Sequence, residues 1–247
     1  MRNNRIFIDQ PLDGLSQLTL TGDQANYVGR VLRMRPGDAF HLFSGDGRDF
    51  PAKVLAVGRR DVEVALSEPL AIDAESSLNV HLGQVVSRGE RMDYAVQKAT
   101  EMGVTALTPL LSERCEVRLD GERQDKRWRH WRQVSISACE QCGRARVPDI
   151  GDVTPLESWL QNVTADLKLI LHPGDARAWS PAQRPASVCL LIGPEGGFTD
   201  EEVALAERHG FVHAPLGPRI LRTETAPVAA LALMQWLWGD FGDSTPT

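Results

Sequence analysis

Apolar positions follow two different patterns along the chain, and the change falls in the polar, turn-prone segment Pro69 to Ser77. Before it, short runs of alternating apolar and polar residues are separated by Gly, Pro and Asp turns. Such runs predict short strands, here over residues 5–8, 18–20, 39–43, 53–57 and 62–66. Tyr27 to Met34 instead predicts one or two helical turns. A run of short strands spaced by turns is typical of a small β-barrel.

From Leu78 onward, strands and helices alternate. Apolar runs predict strands over 78–86, 104–110, 166–172 and 188–192, and apolar residues spaced three or four apart predict helices over 90–102, 124–141, 154–160, 200–209 and 226–238. Thr199 and Glu202 form a capping box before the fourth of these helices. The sequence therefore predicts an α/β protein with two domains, 1–72 and 78–242.

Three predicted strand ends open into Gly- and Pro-containing loops within fifty residues of one another. These loops are His172 to Gly174, Gly193 to Gly197 and Leu216 to Arg222. Open α/β sheets bind ligands beyond the carboxyl ends of their strands, so a small-molecule pocket is expected here. The second loop matches neither the phosphate-binding loop nor the dinucleotide fingerprint, and an ordinary strand-to-helix turn is the alternative.

The charge balance argues weakly against nucleic acid as a partner, since the 247 residues carry a formal net charge of -6. Local clusters of basic residues leave the question open, because binding depends on the distribution of charge. One cluster comprises Arg2, Arg5, Arg30, Arg33 and Arg35, and a second lies between Arg127 and Arg146. Each is either a solvated face or a rim that contacts phosphates.

The cysteine pattern favours free thiols in a reducing cytosol. Cys139 and Cys142 form a C-x-x-C, but they fall in a helical pattern and no second pair lies at metal-ligand spacing, so no metal is expected. The N-terminus does not resemble a signal peptide, and no stretch approaches the ~20 apolar residues that span a bilayer. A cytoplasmic protein is therefore expected.

Several motifs together resemble the RsmE family of SPOUT-class methyltransferases. The strongest are Ile192 to Phe198 (IGPEGGF) and Leu216 to Ala226 (LGPRILRTETA), supported by Gln97 to Gly103 (QKATEMG) and Glu140 to Arg144 (EQCGR). The resemblance implies a C-terminal SPOUT trefoil-knot domain with a small N-terminal PUA-like RNA-binding β-barrel. It also implies a homodimer that uses S-adenosyl-L-methionine to methylate N3 of a uridine in 16S ribosomal RNA, within the 30S subunit.

The same resemblance implies which residues form the site. Those implied to bind the cofactor belong to three loops: Leu171, His172, Gly193, Glu195, Gly196, Gly197, Leu216, Gly217, Ile220, Leu221, Arg222 and Thr225. Those expected to contact RNA are basic: Arg2, Arg5, Arg30, Arg33 and Arg144.

The chemistry suggests candidates for catalysis. Uridine N3 carries a proton, so methyl transfer requires its removal or stabilisation of the resulting anion. Arg222, in the cofactor loop, is the first candidate for a stabilising cation, and Lys98 is the second. Glu195, Glu224 and Glu101 are candidates to take the proton or to orient these cations. A purely structural role, such as helix capping, is the alternative for each carboxylate.

Two other functions fit the same sequence. One is a non-catalytic RNA-binding or assembly factor that kept the pocket, and the other is a SPOUT methyltransferase that acts on a different RNA base. Methyl transfer to ribosomal subunits separates an enzyme from an assembly factor, and the position of the methyl group separates the two kinds of enzyme.

Overall fold

Six short strands form the sheet of the N-terminal part of the chain. In the computed structural model, which describes residues 4–117, 119–172 and 184–242, they are β1 (Arg5–Phe7), β2 (Gln17–Thr21), β3 (Ala39–Phe43), β4 (Arg48–Val57), β5 (Asp61–Leu66) and β6 (Leu70–Ala71). They pair in the order β1-β3-β4-β5-β2, with β6 added to β4. A helix, α1 (Gly22–Asn26), and a π-helix (Tyr27–Val31) follow β2.

Alternation along the strands explains why this sheet has a buried and an exposed face. In β5, Val62 and Val64 are buried, whereas Asp61 and Glu63, which alternate with them, are exposed. The buried side chains form one hydrophobic cluster, which includes Ile6, Leu20, Val28, Phe40, Leu42, Phe50 and Val54. The predicted β-rich N-terminal part is thus confirmed.

Seven strands form a second sheet, in which every pair in the described ranges is parallel. They are β7 (Asn79–Val85), β8 (Ala106–Leu111), β9 (Asp149–Ile150), β10 (Thr154–Pro155), β11 (Leu167–Leu171), β12 (Ser187–Ile192) and β13 (Val212–His213). Their order is β10-β8-β7-β12-β11-β13, with β9 beside β8. The helices are α2 (Glu90–Glu101), α3 (Gly121–Cys142), α4 (Leu156–Asn162), α5 (Asp200–Arg208) and α6 (Thr225–Trp238).

The central strand β12 is buried on both faces, which accounts for its continuous apolar sequence. Val188, Leu190 and Ile192 join one hydrophobic cluster, to which α2 and α6 contribute. The residues between them, Cys189 and Leu191, join a second cluster, to which α4 and α5 contribute. The sheet therefore carries a core on each side, as expected for an α/β domain.

Contacts divide the chain into two units: Met1–Glu75 with Cys139–Val147, and Ser76–Ala138 with Pro148–Thr247. The predicted limits of 1–72 and 78–242 place residues 139–147 in the second domain instead, and they stay a prediction. Among the residues that the structure describes, none of the helices combines the length and apolar character needed to cross a bilayer.

Buried ion pairs hold residues 139–147 in the first unit. The Arg5 guanidinium donates to both carboxylate oxygens of Asp49, at 2.8 and 2.7 Å, and to the carbonyl oxygens of Cys139 and Arg144, at 2.7 and 3.0 Å. Arg144 donates from Nε and Nη2 to one carboxylate oxygen of Glu75, at 3.1 and 2.7 Å. Burying such charges is tolerated because each is paired and hydrogen-bonded.

The predicted and observed elements differ at Pro155. The helix predicted over 154–160 begins at Leu156, because Thr154 and Pro155 form β10 instead. Proline cannot donate to a strand ladder, and β10 lies at the edge of its sheet, where that donor is not needed. Pro109 lies inside β8, opposite Gln84 of β7.

The four cysteines are free; Cys139 and Cys189 are buried, and Cys115 and Cys142 are partly exposed. Burial raises the pKa of Cys139 to about 12 and also raises the pKa of Cys189 and, less strongly, of Cys115. Because the thiolate is the nucleophile, we expect iodoacetamide at pH 8 to alkylate Cys142, which is partly exposed, before the other three. Peptide mass spectrometry over time checks this order, with urea-unfolded protein as the control. Labelling of Cys139 or Cys189 as fast as Cys142 in the folded protein would contradict it.

Candidate active site

Three neighbouring strands end side by side at one edge of the parallel sheet. Gln84 of β7 pairs with Ile192 of β12, and Ile192 pairs with Leu171 of β11. The loops that follow β11 and β12 therefore start next to each other, at the edge where parallel sheets bind ligands.

A cavity lies at this edge and contains about 510 Å³ of empty space, part of it continuous with solvent. Most of its lining is apolar, from Leu171, His172, Ala214, Pro215, Leu216, Gly217, Pro218, Arg219, Ile220, Leu221 and Ala226. The apolar lining and the position at the carboxyl ends of parallel strands are those of a small-molecule site.

The structure brings together half of the residues predicted to bind the cofactor. Leu171, His172, Leu216, Gly217, Ile220 and Leu221 line the cavity. The other six are not among its lining residues: Gly193, Glu195, Gly196, Gly197, Arg222 and Thr225. Two further residues of the first loop, Pro173 and Gly174, lie outside the described residues. Whether any of them contacts a ligand stays a prediction.

The loop after β12 is built for tight packing. A side chain at Gly193 would come within 3.0 Å of the Phe198 ring, and Gly197 adopts a φ of 68°, which few other residues tolerate. The predicted capping box then starts α5: the Thr199 hydroxyl accepts from the Glu202 amide, and the Glu202 carboxylate accepts from the Thr199 amide. The close packing at Gly193 and the capping box thus fix the conformation of the loop between β12 and α5.

A buried polar network lies beneath the loops, and the sequence reasoning missed it. The Thr223 hydroxyl donates to the Gly193 carbonyl oxygen at 2.8 Å, and the Gln84 amide nitrogen donates to the Thr223 hydroxyl at 3.1 Å. The Ser87 hydroxyl lies 3.2 Å from that of Thr223. The available signal was Gln84 itself, a polar residue directly before the apolar pair Val85 and Val86 at the end of a predicted strand.

Glu195 is held by the Arg91 side chain of α2 and by the backbone of Arg88, just before that helix. Its carboxylate accepts from Arg91 Nη1 at 2.8 Å and from the Arg88 amide at 3.3 Å. Burial by itself raises the pKa of Glu195, but hydrogen bonds from its own amide, from Arg91 and from Arg88 outweigh burial and hold that pKa below its ordinary value. An ionised carboxylate with a low pKa is a weak base, so this arrangement favours orientation of Arg91 over proton abstraction.

The other candidate catalytic residues have different surroundings. Arg222 is exposed and directly follows the last loop residue that lines the cavity. Lys98 is paired with Glu101 on α2, at 2.8 Å. Glu224, just before α6, has a buried carboxylate oxygen, Oε2, that accepts no hydrogen bond from the described residues.

The basic residues expected to contact RNA fall into two groups. Arg30 and Arg33 are exposed on the first unit. Arg5 and Arg144 are buried, with side chains 9% and 5% exposed, and their guanidinium groups bond internal partners. We therefore leave Arg5 and Arg144 out of the RNA surface proposed below, and Arg2 lies outside the described residues.

The backbone around Arg30 and Arg33 is unusual. Arg30 belongs to the π-helix, a form found frequently at functional sites, and Arg33 has a positive φ of 54°. Within the described ranges, no group of three or more His, Cys, Asp or Glu side chains could hold a metal ion.

Comparisons with known proteins agree with this architecture. Residues 74–235 match the family model of the RNA methyltransferase domain, and residues 20–67 match the RNA methyltransferase PUA domain. The fold is thus that of an RNA methyltransferase with an N-terminal PUA domain, and the predicted fold class is confirmed.

Full-length relatives narrow the class further. Ribosomal RNA small subunit methyltransferase E of Buchnera aphidicola (strain APS) is 34% identical, over 96% of this chain and 94% of the relative. The Neisseria gonorrhoeae enzyme of the same name, crystallised bound to S-adenosyl methionine, is 39% identical, with a TM-score of 0.91 over 97% of this chain and 99% of that one. The chain belongs to the ribosomal RNA small subunit methyltransferase E family.

A second solved structure has the same fold over its whole length. It is a Legionella pneumophila protein, assigned as a methyltransferase, in complex with the bound cofactor SAM. It is 42% identical, with a TM-score of 0.93 over 98% of this chain and 100% of that one.

Proposed function

We propose that this protein transfers a methyl group from S-adenosylmethionine to N3 of a uridine in 16S ribosomal RNA. The observation that carries the proposal is the apolar cavity at the carboxyl end of β11, formed within the segment that matches the RNA methyltransferase domain. We propose the 30S subunit as the substrate particle and the cytoplasm as the compartment, because ribosomal subunits are found there.

The residues at the site fit S-adenosylmethionine. The apolar lining, with Pro215, Leu216 and Leu221, suits the flat face of an adenine ring. Two acceptors are buried and lack a donor among the described residues: Glu224 Oε2, just after the last loop, and Gln84 Oε1, on the side chain that bonds Thr223. The cofactor carries amine and hydroxyl donors that such acceptors require.

When bound, the cofactor supplies an electrophilic methyl group on a sulfonium. The protein must align the uridine with it and stabilise the anion that forms as N3 loses its proton. Arg222 is our candidate for the stabilising cation, because it is exposed beside the cavity. Lys98 is second, since Glu101 already partly neutralises it. We propose Glu224 as the carboxylate that orients Arg222 or takes the proton, and Glu195 as the residue that orients Arg91.

Methyl transfer can be tested with small ribosomal subunits that lack the modification. We expect the protein to incorporate tritium from S-adenosyl-[methyl-³H]methionine into the RNA of these subunits. Subunits that already carry the methyl group are the control. A folded protein that binds the cofactor but incorporates no label into unmodified subunits would support the assembly-factor function instead.

We propose Arg30 and Arg33 as the part of the first unit that contacts RNA phosphates. Replacing both with Gln should weaken binding to the subunit and reduce its dependence on salt, since each phosphate contact adds roughly 0.7–0.9 to the slope of log K against log salt. Exchange of Arg59 and Arg60 for Gln is the matched control, because these two are exposed on the same unit and carry the same charge. Equal losses in the two double variants would indicate a general charge effect and contradict a specific surface.

We propose that the enzyme works as a homodimer and that its second unit is a trefoil knot. Large apolar side chains are exposed on and just after α6: Leu233 44%, Trp236 65%, Leu237 53% and Phe241 39%. Exposed apolar groups of this size on one helix are typical of an interface. A self-complementary contact between two copies would cover them.

A further inference from the structure

Hydrogen-bond partners fix most of the protons in the buried network beneath the loops. Thr223 donates its only hydroxyl proton to the Gly193 carbonyl oxygen, so its oxygen can only accept from its other neighbours. One of these is Gln84, whose amide nitrogen donates one proton to Thr223 and the other to the Val85 carbonyl oxygen, each at 3.1 Å. The other is Ser87, whose hydroxyl lies 3.2 Å from that of Thr223 and 3.4 Å from the Val85 carbonyl oxygen and donates its proton to one of the two.

This arrangement also fixes the amide of Gln84. If its oxygen and nitrogen were exchanged, Oε1 would face the Val85 carbonyl and a hydroxyl whose proton is already committed. Gln84 is 0% exposed, Ser87 4% and Thr223 7%. Water therefore does not readily replace a hydrogen-bond partner that one of them loses. Leaving a buried polar group without its partner is costly, and the network therefore resists rearrangement.

The network joins segments that are distant in sequence at the place where the cavity is formed. Thr223 follows the last cavity residue of its loop, Leu221, by two positions. Gly193 begins the loop after β12, and Gln84 belongs to the rigid strand β7. The Thr223 hydroxyl thus connects both loops to the sheet.

We propose that Gln84, Ser87 and Thr223 are positioning residues of the cofactor site, which hold the Leu216–Thr225 loop against Gly193 before the cofactor binds. The proposal rests on the proposed function, since it takes S-adenosylmethionine as the ligand. Preorganisation of this kind increases affinity because less conformational freedom is lost on binding.

Thr223→Val tests the proposal, because valine has nearly the same shape but no hydroxyl. We expect its affinity for S-adenosylmethionine, measured by calorimetry, to fall about tenfold, the scale set by loss of a buried hydrogen bond. Amides of residues 216–225 should exchange hydrogen faster than in the wild type even without cofactor. Thr223→Ser, which keeps the hydroxyl, should restore most of the affinity and protection.

Thr105→Val is the matched control. Its hydroxyl donates to the Val80 carbonyl oxygen at 2.9 Å and does not belong to the network. We expect this variant to bind the cofactor as the wild type does. Gln84→Met removes the network from the other side, so it keeps the test informative if Thr223→Val fails to fold, and it should weaken binding in the same way.

The results separate this proposal from the proposed function. A wild type that does not bind S-adenosylmethionine would overturn the function itself. Suppose instead that the wild type binds the cofactor and that the Thr223→Val and Gln84→Met variants fold. If both variants then match the wild type in affinity and in protection of the loop amides, the positioning role alone would be overturned. Equal loss of affinity in Thr105→Val would also overturn it, because the effect would then be general destabilisation.

Discussion

Replacing Arg222 with Ala is expected to reduce methyl transfer by about 10²–10³-fold, the scale seen when a group that stabilises a developing anion is removed. Arg222 is exposed and follows directly after Leu221, the last residue of its loop to line the cavity. Since Arg222 does not itself line the cavity, the affinity for S-adenosylmethionine should change little. Single-turnover methyl transfer and calorimetry measure the two effects separately.

Two outcomes would contradict this role for Arg222. If cofactor affinity and turnover fell together, Arg222 would be a binding residue, and if neither changed, the cation would have to come from elsewhere, with Lys98 the next candidate. Arg208→Ala is the control, because Arg208 is an exposed arginine at the end of α5 that does not line the cavity. That variant should retain wild-type turnover.

Replacing Trp236 with Glu is expected to convert a dimer into monomers. Trp236 is 65% exposed on α6, beside Leu237 and Leu233, and a charge placed there would have to be buried in the proposed interface. We expect the sedimentation coefficient to fall to that of a single chain. We propose that the partner subunit completes the site, so methyl transfer should fall with it.

Leu70→Glu provides the comparison for this experiment. Leu70 is 48% exposed on β6 of the first unit, so the substitution makes a similar chemical change away from α6. It should leave the oligomeric state unchanged. A wild type that sediments as a monomer while it methylates at full rate would contradict the proposed dimer, as would a Trp236→Glu variant that stays dimeric.

Local patterns in the sequence were enough to predict the elements that position the pocket. The apolar run Val188 to Ile192 forms β12, and the capping box at Thr199 starts α5. Both depend on residues within a few positions of one another. The loops that line the cavity could likewise be predicted, because Gly and Pro residues follow the apolar runs directly.

Contacts between distant residues could not be predicted in this way. Arg5 has the composition of a surface residue, yet it bonds Asp49 and the Cys139 carbonyl oxygen, which lies 134 positions away in sequence. Gln84 and Thr223 are separated by 139 positions. Charge and periodicity do not show which partners the fold brings to a side chain. An arginine in a buried ion pair therefore cannot be distinguished in the sequence from an arginine that binds RNA.

The position of the new methyl group tests the proposed function most directly. Small subunits that lack the modification would be incubated with the protein and S-adenosylmethionine, and their RNA digested to nucleosides and fragments for mass spectrometry. We predict N3-methyluridine at a single site in 16S ribosomal RNA. A methyl group on another base, or on another atom of uridine, would contradict the account.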